Sequence, residues 1–332
     1  HIARGNTQAI VVNSGNANAC TGPRGLKDAR EMASLLADEL LLKPTNVLVA
    51  STGRIGLELP MPNIRAGIRA IVKELDDKPT AARHAAQAIM TSDTRTKEIA
   101  IEFKLGGKTV RLGGIAKGAG MIQPGMSPTG ARPASAPLHA TMLSFLTTDA
   151  KIDARTLNTC LREAVANSFN CITVDGDMST NDTVIVLANG ASGAPAIEGS
   201  GEAADDFYPG LEMVCRELAR MIARDGEGAT KLVSIRVNGA GNEAEARQVG
   251  LSVANSNLVK TAVFGRDPNW GRILCAVGYA GVDIDPDKVA VSFCGTPIYG
   301  AGAGLDFDKD RLIEAMGAED IPIEIDLGQG PE

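Results

Sequence analysis

The chain alternates between short apolar runs and longer segments of helical spacing, and this alternation constrains the fold more than any other feature. Residues 8–12 and 47–50 have the composition of buried strands, and each leads into a loop of small and polar residues that a helix follows. The first helix is predicted over 26–41, where apolar residues recur at helical spacing before Pro44. The order strand, loop, helix, strand predicts an α/β fold.

The same two patterns predict the remaining elements. Strands are predicted at 172–174, 183–188, 232–237 and 321–327, with hairpins over 98–115, through a Gly106 and Gly107 turn, and over 288–298. Helices are predicted at 64–75, in an alanine-rich segment up to residue 90, and at 153–166, 208–224, 243–253, up to residue 280 and at 308–316. Strands and helices therefore alternate through the whole chain.

Length and charge restrict the classes of partner. The length of 332 residues favours two domains, with a core that needs no disulfides. The 33 basic and 40 acidic residues give a net charge of −7, without a basic run, which argues against a nucleic-acid surface and favours a small-molecule partner. Because no apolar run approaches eighteen residues, a membrane span is not predicted.

The metal-binding residue types are scattered. The six cysteines lack CxxC spacing and are predicted to be buried free thiols in a reducing compartment, the cytoplasm. The three histidines are far apart in sequence, which argues against zinc and against a histidine triad. Residues 175–183 contain three aspartates, but the calcium-loop order is missing, so a hydrogen-bonded turn is favoured and no metal is predicted.

Thr141 is the candidate nucleophile. A threonine hydroxyl needs an adjacent base, and the threonine's own α-amine can serve once the preceding peptide bond is cut. That amine titrates near ~7.7–8.0, close to working pH. The small Ala140 before it leaves the carbonyl open to attack. The alternative is a buried strand in which Thr141 is an ordinary strand former, and this stretch alone favours that alternative.

Three further positions have a functional and an ordinary interpretation. The hydroxyl and glycine turn at 51–56 can present backbone N–H donors to an oxyanion, or it is a routine strand-to-helix turn. Lys117 lies between glycines, but the phosphate-loop pattern is absent, so nucleotide binding is not predicted. Glu227, between two glycines at a helix-to-strand junction, either points into a site or is a solvated loop residue.

Eight segments, in order, resemble those of one family, the ornithine acetyltransferases, which are self-cleaving glutamate N-acetyltransferases of the acetyl cycle in arginine biosynthesis. Together they extend from Val12 to Ile273, and the resemblance continues to Leu327. They are VNSGNANACTG at 12–22, STG-IG at 51–56, AIMTSDT at 88–94, AKGAGMI at 116–122, ATML-F--TDA at 140–150, VDGDMSTNDT at 174–183, DGEGATK at 225–231 and LVKTAVFG-DPNWGRI at 258–273.

The resemblance implies a cut between Ala140 and Thr141. An α chain of residues 1–140 and a β chain of residues 141–332 would stay associated, with Thr141 as the nucleophile and its new amine as the base. Thr52 and Gly53 match the oxyanion-hole turn. The residues that match the substrate site are Thr91, Lys117, Thr141 and Glu227.

The implied reaction is ping-pong transfer of acetyl from N-acetylornithine to Thr141 and then to glutamate, without a resident cofactor. Acetyl-CoA is a second acetyl donor in the bifunctional members. The implied fold is a layered α/β/β/α sandwich with mixed sheets, shared with self-cleaving aminopeptidases. The α and β chains are expected to pair as a heterotetramer. Lys117 suits the carboxylate of an amino acid, and Glu227 suits an ammonium.

The chain departs from the family pattern in two ways. Residues 126–139 separate Lys117 from Thr141 and resemble an insertion. The family extends beyond this chain at both ends, and the asparagine and threonine that its C-terminal tail brings to the substrate site have no counterpart here. The alternatives are therefore a self-cleaving amidohydrolase or aminopeptidase, and an inactive, uncut binding or assembly protein.

Overall fold

A computed structural model describes residues 5–126, 142–199 and 201–330. The chain forms two compact units, residues 1–227 and 228–332. The predicted cleavage site at Ala140 and Thr141, and the segment 126–139 apart from Met126, lie outside the described residues. The boundary between the units is not the predicted boundary between the α and β chains, because residues on both sides of the cleavage site belong to the first unit.

The first unit is built on two sheets. Strands β1 and β2 pair in parallel, with α1 as the connection between them. A second sheet has the order β3-β4-β5-β6, with antiparallel pairs except between β5 and β6. The elements are β1 (Ala9–Asn16), α1 (Gly22–Leu40), β2 (Val47–Arg54), α2 (Met61–Ile71), α3 (Pro79–Ala88), β3 (Lys97–Leu105), β4 (Lys108–Lys117), β5 (Leu143–Thr148), α4 (Ala154–Ala166), β6 (Thr183–Ala188) and α5 (Glu202–Arg224).

The two sheets of this unit lie between two layers of helices. Helix α1 packs against β2 and α2 around Met32 and Leu36. On the other side, α5 packs against β3 and β4, and α4 packs against α5, around Leu146 and Leu211. The sheets meet where Lys117 of β4 bonds to Thr52 of β2. This order confirms the predicted α/β/β/α sandwich with mixed sheets.

The second unit has one mixed sheet of order β10-β9-β8-β11-β7, in which β11 pairs in parallel with β7 and antiparallel with β8. Helix α6 packs against β7, α7 and α8. The core includes Val249, Phe293 and Ile323. The elements are β7 (Leu232–Asn238), α6 (Glu243–Asn255), α7 (Asn257–Phe264), α8 (Trp270–Gly278), β8 (Ala290–Phe293), β9 (Thr296–Gly300), β10 (Ala303–Gly304), α9 (Lys309–Ala315) and β11 (Asp320–Asp326).

Two local predictions are wrong. Residues 172–174 form no strand; they follow a short 3₁₀ turn at Phe169–Cys171, and the N–H of Val174 donates to the carbonyl of Ile122 in a loop instead of to a sheet. Helix α5 begins at Glu202 rather than at residue 208, with Pro209 inside it. Pro209 lies beyond the first turn of α5, so the helix lacks one backbone hydrogen bond there, because proline has no N–H.

The predictions for the acidic turn and the cysteines have mixed outcomes. Asp175 accepts backbone bonds from Met121 and Ile122, so 175–183 is the hydrogen-bonded turn that was favoured. All six cysteines are free, but only two are buried, Cys160 and Cys215, and burial raises the pKa of the Cys215 thiol to about 12. Cys20, Cys171 and Cys275 are exposed, contrary to prediction. Within the described ranges, every helix is too short or too polar to cross a membrane.

Candidate active site

The site begins at the carboxyl ends of β1 and β2, where the predicted oxyanion-hole turn lies. Ser51, Thr52 and Gly53 lie near the end of β2, and register pairing places Thr52 opposite Ser14 and Gly53 opposite Gly15. Thr52 is fully buried. The side chain of Asn181 donates to the carbonyl of Ser51 at 2.9 Å and also to the carbonyl of Ala17 in the loop after β1, which fixes the path of the turn.

Only glycine fits at position 53. Its φ of +123° lies in a region that residues with a side chain rarely adopt. A Cβ at this position would lie 2.3 Å from the carbonyl carbon of Gly15. The close approach of the two strands therefore depends on Gly53, which leaves its backbone uncovered by a side chain.

Gly53→Ala is expected to lower the free energy of unfolding by about 2–4 kcal/mol, because the left-handed φ and the contact with Gly15 both oppose a Cβ. Denaturant unfolding of the purified protein measures this change. The matched control is Gly67→Ala in α2, where a Cβ meets no atom within 4 Å. That control is expected to raise stability by up to about 1 kcal/mol. Equal effects of the two substitutions would contradict the prediction.

Lys117, the last residue of β4, joins the two sheets at the site. Its ammonium donates to the hydroxyl of Thr91 at 2.7 Å and to that of Thr52 at 3.2 Å. It also lies 3.7 Å from a carboxylate oxygen of Asp93. The side chain is fully buried. One buried positive charge therefore contacts two of the predicted site residues.

The carboxylate of Asp93 organises the surroundings of this lysine. It accepts from the N–H of Gly118 at 2.7 Å, from the N–H of Thr91 at 3.1 Å and from the ammonium of Lys97 at 2.6 Å. Burial alone would raise the pKa of Asp93, but the bonds from Gly118 and Lys97 and the charge of Lys117 outweigh it, so its pKa lies below the ordinary value. Asp93 is therefore a carboxylate that stabilises the neighbouring cations.

Burial opposes the charged form of Lys117, because the ammonium loses its hydration. The pKa of Lys117 lies below the ordinary value of lysine, because burial and the like charge of Lys97 outweigh the opposing effect of the carboxylates of Asp93 and Asp182. Each added carboxylate near this group favours the charged form. The site is thus a compact set of alternating charges with little access to water.

The start of β5 lies beside Lys117. Leu143 is the register partner of Lys117, and it comes two residues after Thr141 in the sequence. The N–H of Met142 donates to Asp182 at 3.0 Å. A Cβ on Gly118 would lie 3.6 Å from the Cα of Met142, so the two segments are in close contact. Ala140 and Thr141 themselves lie outside the described residues.

Glu227 lies against the loop that follows Lys117. Its N–H donates to the carbonyl of Ala119 at 2.8 Å. A Cβ on Gly120 would lie 2.6 Å from the carboxyl carbon of Glu227, so the glutamate side chain occupies the space that only glycine leaves open. Glu227 is exposed. The ordinary interpretation, a solvated loop residue, is therefore incomplete, because this carboxylate is docked on the site loop.

The described part of the site thus brings together the predicted residues Thr52, Gly53, Thr91, Lys117 and Glu227. Reasoning from the sequence assigned no role to four residues that hold them: Asn181, Asp93, Lys97 and Asp225. Three of the resembling segments contain Asp93, Asn181 and Asp225, so the signal was present for these three residues. Lys97 has no such signal, because a lysine at the start of a hairpin strand is usually solvated.

Comparison with known proteins assigns the chain to a family. A family model described as the ArgJ family matches residues 1–332. The chain belongs to the ArgJ family. Arginine biosynthesis bifunctional protein ArgJ of Symbiobacterium thermophilum is 47% identical to it over 326 residues, which cover 98% of this chain and 77% of that protein. The protein of the same name from Staphylococcus saprophyticus is 46% identical over 97% of this chain and 74% of its own length.

A solved ArgJ structure is also similar. The crystal structure of arginine biosynthesis bifunctional protein ArgJ from Bacillus halodurans shares 40% sequence identity with a TM-score of 0.56, over 57% of this chain and 90% of that chain. ArgJ membership confirms the resemblance to the ornithine acetyltransferases. It also confirms the prediction of an enzyme, a glutamate N-acetyltransferase of arginine biosynthesis.

Proposed function

We propose that this chain cuts itself between Ala140 and Thr141 and then moves an acetyl group from N-acetylornithine to glutamate through an acetyl ester on Thr141. The observation that carries the proposal is the position of the Lys117 ammonium. This ammonium donates to the hydroxyls of Thr91 and Thr52. Lys117 itself is the register partner of Leu143, and Leu143 comes two residues after Thr141 in the sequence. A cation that contacts two hydroxyls therefore belongs to the residue that pairs with the start of β5.

Self-cleavage requires no external group except water. The hydroxyl oxygen of Thr141 attacks the carbonyl carbon of Ala140, and the C–N bond between them breaks, which leaves an ester on Thr141 and a free α-amine. Water then hydrolyses the ester, releasing the carboxylate of Ala140 and the hydroxyl of Thr141. The pieces stay together because residues 112–117 of β4 pair with 143–148 of β5, on opposite sides of the cut.

Acetyl transfer then uses the new α-amine as the base. It takes the proton of the Thr141 hydroxyl, whose oxygen attacks the acetyl carbonyl of N-acetylornithine, and it returns that proton to the leaving nitrogen of ornithine. In the second half, the uncharged amine of glutamate attacks the carbonyl carbon of the acetyl ester, and the bond from that carbon to the Thr141 oxygen breaks. The α-amine of Thr141 passes the proton lost by the glutamate nitrogen to that oxygen, and N-acetylglutamate leaves. An ester is attacked by an amine more readily than an amide is.

The oxyanion of each tetrahedral intermediate is assigned to Thr52 and Gly53. The Thr52 oxygen accepts a bond from Lys117, so its O–H is polarised by an adjacent positive charge, and this O–H is the first proposed donor. The N–H of Gly53 is the second proposed donor. Preorganised donors of this kind are worth roughly 10²–10³ in rate each.

Substrate recognition follows from charge. The ammonium of Lys117 donates to Thr91 and Thr52 and also faces the carboxylate of Asp93 at 3.7 Å. Its positive charge is proposed to attract the α-carboxylate that both substrates carry. Glu227 is proposed to bind the side-chain ammonium of N-acetylornithine, which glutamate lacks. Thr91 lies beside Lys117 and is proposed to donate to the same carboxylate.

The wider properties are proposals as well. The relatives are named bifunctional, which supports acetyl-CoA as an alternative donor that loads Thr141 through its thioester. No resident cofactor is proposed. The family resemblance supports paired α and β chains in a heterotetramer, and six free cysteines support the reducing cytoplasm.

The proposed transfer is tested with N-acetylornithine labelled in its acetyl group. Mass spectrometry of the products after incubation with glutamate is expected to show labelled N-acetylglutamate. An amidohydrolase or aminopeptidase would instead release labelled acetate at the same rate with or without glutamate. A folded, cut sample that releases acetate without forming N-acetylglutamate would refute the transferase proposal.

Glu227→Gln is expected to raise the KM for N-acetylornithine about 10-fold to 100-fold, because a charge-assisted bond to the substrate ammonium is lost. The KM for glutamate should stay within about twofold, since glutamate has no side-chain ammonium. Steady-state kinetics with each substrate varied in turn measure both values. The matched control is Glu212→Gln in α5, which breaks an ion pair with Arg216. An equal rise of both KM values would contradict the assigned role.

A further inference from the structure

A second lysine, Lys97, lies fully buried behind the site and contacts no proposed substrate group. Its ammonium bonds to Asp93 at 2.6 Å and to Asp225 at 2.6 Å, and these two carboxylates are 2% exposed or less. Lys97 and Asp225 are 128 residues apart in the sequence. The lysine therefore joins two segments that the fold brings together from distant parts of the chain.

One end of this bridge holds Lys117. Asp93, the first partner of Lys97, accepts backbone bonds from Thr91 and from Gly118, which follows Lys117. The ammonium of Lys117 lies 3.7 Å from the second oxygen of Asp93. Displacement of Asp93 would therefore move the peptide bond after Lys117 and remove the counter-charge of its ammonium.

The other end of the bridge holds the segment of Glu227. Asp225, the second partner of Lys97, caps the end of α5 two residues before Glu227. It accepts bonds from the N–H of Thr94 at 3.0 Å and from the Thr94 hydroxyl. The N–H of Glu227 in turn donates to Ala119. Lys97 thus lies between the anchors of Lys117 and of Glu227.

Energetics favour a positioning role over a role in stability alone. Taking several charges out of water costs free energy that their attraction only offsets, so well-packed apolar residues of similar volume are often as stabilising. A buried ion bridge does, however, restrict the relative positions of the groups that it joins, because a displaced charge would be left unpaired. The bridge through Lys97 connects the anchors of Lys117 and Glu227, the two residues proposed to bind opposite ends of one substrate.

We propose that Lys97, together with Asp93 and Asp225, is a positioning residue that fixes the separation between Lys117 and Glu227. The enzyme would thereby select its acetyl donor by the distance between the α-carboxylate and the side-chain ammonium. This inference rests on the proposed function, in which those two residues bind these two charges. Lys97 itself does not touch the substrate.

The test compares N-acetylornithine with Nα-acetyllysine, which is longer by one methylene. One methylene typically changes kcat/KM about 10-fold to 200-fold, so the wild-type enzyme is expected to prefer N-acetylornithine by a ratio in that range. In Lys97→Met this ratio is expected to fall at least fivefold. Thr94→Val, which removes only the hydroxyl bond to Asp225, is a milder variant that leaves every charge in place, and a twofold to threefold fall is expected.

A purely structural role for Lys97 would reduce the amount of active enzyme but leave the ratio unchanged, because both substrates report on the same molecules. The matched control is Arg65→Met, which breaks the ion pair with Glu31 between α1 and α2 and should also leave the ratio unchanged. A wild-type ratio in active Lys97→Met or in Thr94→Val would refute the inference alone. A wild-type enzyme that transfers no acetyl from N-acetylornithine would refute the proposed function and, with it, this inference.

Discussion

Thr141→Ala is expected to leave the chain in one piece, whereas the wild-type chain gives two pieces, residues 1–140 and 141–332. Alanine has no hydroxyl to attack the Ala140 carbonyl, so the peptide bond stays intact. Without a cut there is neither a nucleophile nor a free α-amine to serve as its base, so acetyl transfer is expected to fall to background. Intact-mass measurement under denaturing conditions, with sequencing of the new N-terminus, distinguishes the two outcomes.

Two further variants make this result specific. Thr147→Ala makes the same change at an exposed position of β5 and is expected to give two pieces. Thr141→Ser keeps a hydroxyl and an α-amine, so at least partial cleavage is expected. A cut Thr141→Ala chain would mean that another group performs the cleavage. An uncut wild-type chain would mean that the family relationship describes ancestry rather than self-processing.

Local sequence patterns predicted most of the fold. Asp153 was expected to begin a helix, and it caps α4 by accepting from the N–H groups of Arg155 and Thr156. Gly106 and Gly107 were expected to turn a hairpin, and they separate the antiparallel strands β3 and β4. These elements were predictable because the residues that fix them are close together in the sequence.

The strand predicted at 172–174 is absent, because the conformation of these residues depends on contacts with residues that are distant in the sequence. Residues 172–174 have strand propensity, but a strand forms only when it pairs with another strand. The N–H of Val174 donates instead to the carbonyl of Ile122, which lies in a loop. The strand propensity of a segment does not indicate which distant segment will accept its backbone hydrogen bonds. The exposure of Cys20, Cys171 and Cys275 likewise depends on tertiary packing, so composition alone predicted their burial wrongly.

The site residues also form two groups, those that the sequence identifies and those that only the structure identifies. Thr52, Lys117 and Glu227 were identified because they lie in segments that resemble those of a known family. Lys97 was not, because its burial is explained only by Asp225, a partner 128 residues away. The residues proposed to touch the substrate were therefore available from the sequence, whereas the bridge that holds them became visible only in the structure.

Lys117→Met is expected to lower the rate of acetyl transfer roughly 10²–10³-fold. Methionine has a similar length, but it removes both the charge that polarises the Thr52 hydroxyl and the proposed partner of the substrate carboxylate. Folding should survive, because Asp93 keeps its ion pair with Lys97 and its bonds from Gly118 and Thr91. The effect should therefore be on both kcat and KM, with little change in the unfolding midpoint.

The matched control for this variant is Lys104→Met. Lys104 lies on β3 and also donates to a threonine hydroxyl, that of Thr109, but it is exposed. Loss of an exposed charge should leave transfer within about twofold, because water replaces its bonds. Rates are normalised to the cut fraction, since the cleavage reaction passes through an oxyanion as well. A wild-type rate of transfer in Lys117→Met would exclude the ammonium from both proposed roles. A loss in kcat alone would support its role at the oxyanion and would mean that another group binds the substrate carboxylate.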